Sequence, residues 1–91
     1  ILGINNYSLL ENIQIYPNPT VDIVNVNFEK SNTYTISIYN YSGKELKTIK
    51  TNKTKQQVSF DSYAAGVYIL LIKNSQKQVY KTFKIIKKWK L

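Results

Sequence analysis

The sequence predicts an all-β chain, folded as a single antiparallel immunoglobulin-like β-sandwich of about seven strands. Three observations lead there. From Ile13 onward, short β-rich runs are separated by turn signals at intervals of roughly 8 to 12 residues, the spacing of a sandwich or barrel. Several of these runs alternate apolar and polar residues with the period of two that a half-buried strand requires. No stretch sustains a helical period.

Residues 1–12 scatter Asn5, Asn6, Ser8 and Asn12 among apolar residues and read as the end of a linker, so the domain is placed at 13–91. The first run ends in Tyr16-Pro17-Asn18-Pro19-Thr20, where two prolines fix a turn and remove backbone donors. The second places Val24, Val26 and Phe28 on one face and Asn25 and Asn27 on the other. The third alternates Tyr34, Ile36 and Ile38 against Thr35, Ser37 and Tyr39. Tyr41-Ser42-Gly43-Lys44 then makes a hairpin in which Gly43 takes positive φ without a Cβ penalty.

The fourth run sets Leu46 and Ile49 three residues apart, which predicts a bulge or a lysine-rich edge strand. Val58 and Phe60 mark a short fifth strand, and Asp61-Ser62-Tyr63-Ala64-Ala65-Gly66 a loop or a single helical turn, with positive φ at Gly66. The sixth run, 67–72, is apolar without alternation and is expected to be central and covered on both faces. The seventh, 79–86, puts Lys81 on the parity of Val79, Phe83 and Ile85, which leaves a bulge near Lys81 or Thr82 open.

Composition narrows function. Among 91 residues there is no cysteine and no histidine, which removes disulfides, thiolate metal sites and the usual general base near neutral pH. Glu11, Asp22, Glu29, Glu45 and Asp61 stand singly, without the spacing of a calcium loop, so no metal or other cofactor is expected; Asp22 reads as an Asx-type turn residue. The serines lack a histidine partner and a glycine-framed elbow, so no enzyme is expected. The absence of methionine suggests a piece of a longer parent. No apolar run reaches the roughly 20 residues that span a bilayer, and no membrane insertion is expected.

Charge is concentrated at one end. Of the formal +8, residues 73–91 contribute seven lysines and no acid. That tail would attract a polyanion or form a solvated edge that blocks aggregation. Tyr80, Phe83 and Trp89 interleave with lysine as in a base-stacking groove, but arginine is missing entirely, and with it bidentate phosphate and guanine recognition, so nucleic acid is not the expected partner. Tyr34, Tyr39, Tyr41, Tyr63 and Tyr68 would present an aromatic contact patch or serve as core and cross-strand pairs.

Four segments occur in a fixed order: Tyr16-Pro17-Asn18-Pro19-Thr20-Val21-Asp22, Ile36-Ser37-Ile38-Tyr39-Asn40-Tyr41-Ser42-Gly43-Lys44, Gly66-Val67-Tyr68-Ile69-Leu70, and the lysine-rich Tyr80-Lys81-Thr82-Phe83-Lys84-Ile85-Ile86-Lys87. Together, over about residues 10–87, they resemble the C-terminal sorting domain of proteins exported by the type IX secretion system of Bacteroidetes. The resemblance implies a non-catalytic address that takes an upstream cargo from the periplasm through an outer-membrane translocon. A sortase-like protease then removes it, leaving the cargo extracellular or at the outer-membrane surface. It implies that Lys84, Ile85, Ile86 and Lys87 are the translocon-recognition element, a final strand whose free backbone groups and basic side chains add to a receptor sheet. Tyr16, Pro17, Asn18, Pro19, Asp22, Gly43, Gly66 and Tyr68 are implied as scaffold. Residues 88–91 continue past the Ile-Ile-Lys-like end common in that family. The alternative is an adhesive or accessory sandwich that holds carbohydrate or a partner protein through its tyrosines and basic strand. An edge strand would also allow two copies to pair.

Overall fold

The computed structural model describes residues 13–74 and 79–89, so the linker expected at 1–12 lies outside the described residues. Seven strands follow in order: β1 Ile13–Tyr16, β2 Ile23–Phe28, β3 Tyr34–Asn40, β4 Glu45–Thr51, β5 Lys55–Ser59, β6 Gly66–Asn74 and β7 Val79–Lys87. They form a three-stranded sheet, β1-β2-β5, and a four-stranded sheet, β4-β3-β6-β7, with every pairing between strands antiparallel. The order is immunoglobulin-like, with the fourth strand beside the third on the larger sheet instead of beside the fifth.

The period of two becomes the core directly. Val24, Val26, Phe28, Val58 and Phe60 from the smaller sheet and its margins meet Tyr34, Ile36, Ile38, Tyr68, Leu70, Ile72 and Ile85 from the larger. Phe28 and Tyr34 stack with ring centroids 3.8 Å apart, while Phe60 meets Tyr63 and Tyr68 edge-on at 5.5 and 5.6 Å. Both buried tyrosines turn their hydroxyls back to a carbonyl four residues upstream, Tyr34 to Lys30 and Tyr68 to Ala64. Each ring thus adds apolar area without stranding its polar end.

The bulge expected in the fourth strand is present: Ile38 faces Lys47 and Tyr39 faces Glu45, leaving Leu46 as the extra residue, and β4 is a sheet edge. At the hairpin before it, Gly43 has φ of 93° and donates to the Asn40 carbonyl at 3.0 Å. The Asn40 side-chain oxygen accepts from the main-chain nitrogens of Ser42 and Lys44 and from the Ser42 hydroxyl, an Asx arrangement that organises the turn. A Cβ at Gly43 would meet nothing within 4 Å, so only the backbone resists substitution. Gly43→Val is therefore expected to cost about 1–3 kcal/mol and Gly43→Asn much less, read as urea midpoints. Equal midpoints for Val and wild type would refute this account.

The bulge left open in the seventh strand is absent, and the two-sided cover expected for the sixth fails. The β7 register against β6 runs without a shift from Gly66 opposite Lys87 to Asn74 opposite Val79, so there is no bulge near Lys81 or Thr82. Lys81 keeps its inward parity because β7 is an edge strand: the residue is exposed and its ammonium lies 5.5 Å from the Phe83 ring centroid. β6 is central as expected but covered on one face only. Tyr68, Leu70 and Ile72 are buried while Val67, Ile69 and Leu71 are half-buried on the outward face, shielded by neighbours in β3 and β7.

Candidate functional site

The two prolines explain where the smaller sheet stops and what the chain does next. Pro17 and Pro19, each preceded by a cis peptide bond, have no N–H, so the β1–β2 ladder cannot extend through them. The first main-chain donors left for a new partner belong to Asn18 and Thr20, and segment 17–20 crosses to the opposite sheet, along the outer edge of β7.

The contacts there reproduce a parallel ladder. The Thr20 amide donates to the Ile86 carbonyl at 2.9 Å and the Lys88 amide to the Thr20 carbonyl at 2.8 Å, a parallel bridge between Thr20 and Lys87. One step earlier the Asn18 side chain takes the place of a main-chain peptide group. Its Nδ2 donates to the Lys84 carbonyl at 2.8 Å and its Oδ1 accepts from the Ile86 amide at 3.1 Å. An amide side chain offers one donor end and one acceptor end, as a peptide unit does, and so spans Ile85 as a strand neighbour would. The Thr20 hydroxyl fixes the exit by donating to the Ile23 carbonyl and accepting from the Asp22 amide, and the Asp22 carbonyl then accepts from Phe60. The segment works as a strap over the edge of the last strand.

Alternation along β7 divides the expected recognition residues into two pairs. Lys84 is exposed and Ile86 is 40% exposed, whereas Ile85 is fully buried in the core and Lys87 is buried. The Lys87 ammonium donates to the Tyr63 carbonyl at 2.6 Å. Burial, then the neighbouring Tyr68, pushes the Tyr63 hydroxyl above its ordinary value. Free backbone groups were expected along this strand, yet the Lys84 carbonyl, both main-chain groups of Ile86 and the Lys88 amide are satisfied by the strap.

Of the other motif residues, Tyr16 is 46% exposed and is held by Asn25, which donates to its carbonyl, and by Asn27, which donates to its hydroxyl. Gly66 opens β6 with φ of 158° opposite Lys87. Tyr63 and Tyr68 stack with ring centroids 5.5 Å apart, but Tyr68 is buried and Tyr63 half-buried. Tyr34 is buried in the core against Phe28, Tyr39 is half-buried on β3, and Tyr41 is 82% exposed at the β3–β4 hairpin, so these five rings do not form one exposed platform.

The family model for the secretion system C-terminal sorting domain matches residues 14–88, which spans the first strand, the strap and the last strand. The chain belongs to this family. As a sorting domain for type IX secretion it is a signal and not a catalyst; catalysis, where there is any, resides in the cargo. A similar relative is the protein named Ulvan lyase NLR42 of Nonlabens ulvanivorans, 27% identical over 78 residues. That match covers 85% of the sorting domain but only 15% of the lyase. The family's task places the cargo outside the cell or on its surface and brings the domain into contact with secretion machinery.

Sequence reasoning placed Asn18 in a turn motif and missed that its amide completes the edge of β7. It also missed Lys87 as an inward residue, although its parity with Phe83 and Ile85 carried the signal. The Asn40 turn was legible as well, since an Asn three residues before a turn glycine is an Asx signature.

Proposed function

We propose that this sorting domain is read by the outer-membrane translocon through the exposed side chains of the last strand, Lys84 and Ile86, while Ile85 and Lys87 hold that strand to the core. The observation carrying this is the division of β7 into two faces, with its edge from Lys84 to Lys88 closed by the strap. A closed edge favours recognition by side chains over strand addition at these residues.

The parent travels to the periplasm on a separate N-terminal signal, the folded domain engages the translocon, and a sortase-like protease cuts within or before residues 1–12. The cargo is then released or joined to an anionic lipopolysaccharide. Family membership supports this sequence of events.

A periplasm-directed fluorescent protein fused to residues 1–91 tests it. Export is expected in a host with the type IX translocon and not in the same host lacking it. Intact, folded fusion retained in both hosts would sink the proposal.

A further inference from the structure

The four-stranded sheet turns a broad face to solvent, and the register fixes what that face carries. Val67, Ile69 and Leu71 of β6 point outward. Ile86, Lys84 and Thr82 of β7 lie opposite them in turn, and on the other side Tyr39 is opposite Ile69 and Ser37 opposite Leu71. The result is an apolar stripe of Val67, Ile69, Leu71 and Ile86, continued by the Tyr39 ring.

Its border is basic. Lys84 lies beside Ile69, and Lys50, opposite Thr35, occupies the far edge; both are exposed. Glu45 is the acid that the register places on this face, opposite Tyr39, and its carboxylate already accepts from the Tyr39 hydroxyl at 3.3 Å and the Thr48 hydroxyl at 2.9 Å. An apolar centre with a rim in which the exposed lysines outnumber the one acid is the composition of a steered protein interface.

We propose that this outward face is a docking surface for a protein that presents an apolar ridge bordered by Asp and Glu carboxylates. The proposal rests on the reading that the domain is handed to the translocon, and it assigns the contact to a sheet face instead of the end of the last strand alone. Charge complementarity selects the occupant. A second copy would bring two +8 chains together with Lys84 and Lys50 facing like charges. A lipid surface fits poorly too. Ile69, at the centre of the stripe, is half-buried between Tyr39 and Lys84, and a flat headgroup layer reaches a side chain flanked in this way less well than a complementary ridge.

The test measures binding of the full 91-residue chain, fused to its fluorescent reporter, to detergent-purified type IX translocon. The variants are Ile69→Thr and Leu71→Thr, which keep strand-compatible residues, and Lys50→Glu and Lys84→Glu, which change exposed charges only. Gln57→Glu, exposed on β5 of the other sheet, is the control. Each face variant that melts near wild type is expected to bind at least about tenfold more weakly, and raising salt is expected to weaken wild type more than the Glu variants. Face variants binding within about twofold of wild type, as the control should, would overturn the docking face while leaving the sorting reading intact. No binding by wild type, together with failed export of the fusion, would overturn both. Loss of self-association, or of binding to anionic phospholipid vesicles, in face variants whose translocon binding is unchanged would assign the face to a second copy or to lipid and also overturn the proposal.

Discussion

Ile85→Ala is expected to cost about 2–5 kcal/mol of stability and to reduce export through that loss. Ile85 is fully buried, opposite Tyr68, in the interior between the two sheets. Truncation removes about three carbons of buried side chain and leaves a cavity that β-sheet neighbours fill poorly, because ladder hydrogen bonds fix their backbone positions. For a domain of this size each kcal/mol corresponds to roughly 4–8 °C in Tm, so a shift of ten degrees or more is expected. Lys84→Glu, one residue away but exposed, should move stability by no more than about 0.5 kcal/mol while lowering export. The pair separates holding the strand from being read. An Ile85→Ala domain with unchanged Tm would contradict the burial assigned to it. A Lys84→Glu fusion exported as well as wild type would remove Lys84 from recognition.

Asn18→Ala is expected to cost about 1–2 kcal/mol, since two hydrogen bonds at roughly 0.5–1.5 kcal/mol net are lost and water replaces part of each. The more telling effect is local. The Ile86 amide loses its acceptor and the Lys84 carbonyl its donor, so hydrogen exchange at Ile86 should speed up well beyond the global destabilisation, with smaller changes at the Val24 and Leu70 amides. Asn18→Asp keeps an acceptor for the Ile86 amide but sets a carboxylate against the Lys84 carbonyl, and its exchange rate at Ile86 should fall between the two. Opening this edge also exposes unpaired main-chain groups on a sheet already bounded by another edge strand, β4, and concentration-dependent association is expected to follow. An Ile86 amide as protected in Asn18→Ala as in wild type would show that the strap holds without its side chain.

The strap also gives a physical account of why a Pro-Asn-Pro-Thr stretch suits this place. Prolines end the pairing of one sheet, the asparagine between them has a side-chain amide to lend, and the threonine just past the second proline pairs through its main chain with the edge of β7. Tyr16 before it and Asp22 after it are tied to the smaller sheet and its margin, through Asn25 and Asn27 in one case and Phe60 in the other. The two sheets are therefore joined at this margin by hydrogen bonds as well as by core packing.

The strands, the inward faces of β2 and β3, the irregular edge character of β4 and the turn at Gly43 were legible in the sequence, because each is a local property. Period two decides which side chains share a face, three-residue spacing betrays an extra residue, and a glycine in a short polar turn marks positive φ. The family was legible for a related reason, since its motifs are the turns and strands themselves, in order. What only the tertiary structure decided is which edges are closed and which side chains of the last strand remain available. Asn18 meets Lys84 and Ile86 across 66 and 68 residues of chain, and no local pattern encodes a partner that distant. The burial of Lys87 and the open face over β6 were fixed the same way, by which sheet lies opposite and how far it extends, a matter of packing between elements that alternation within one element cannot specify.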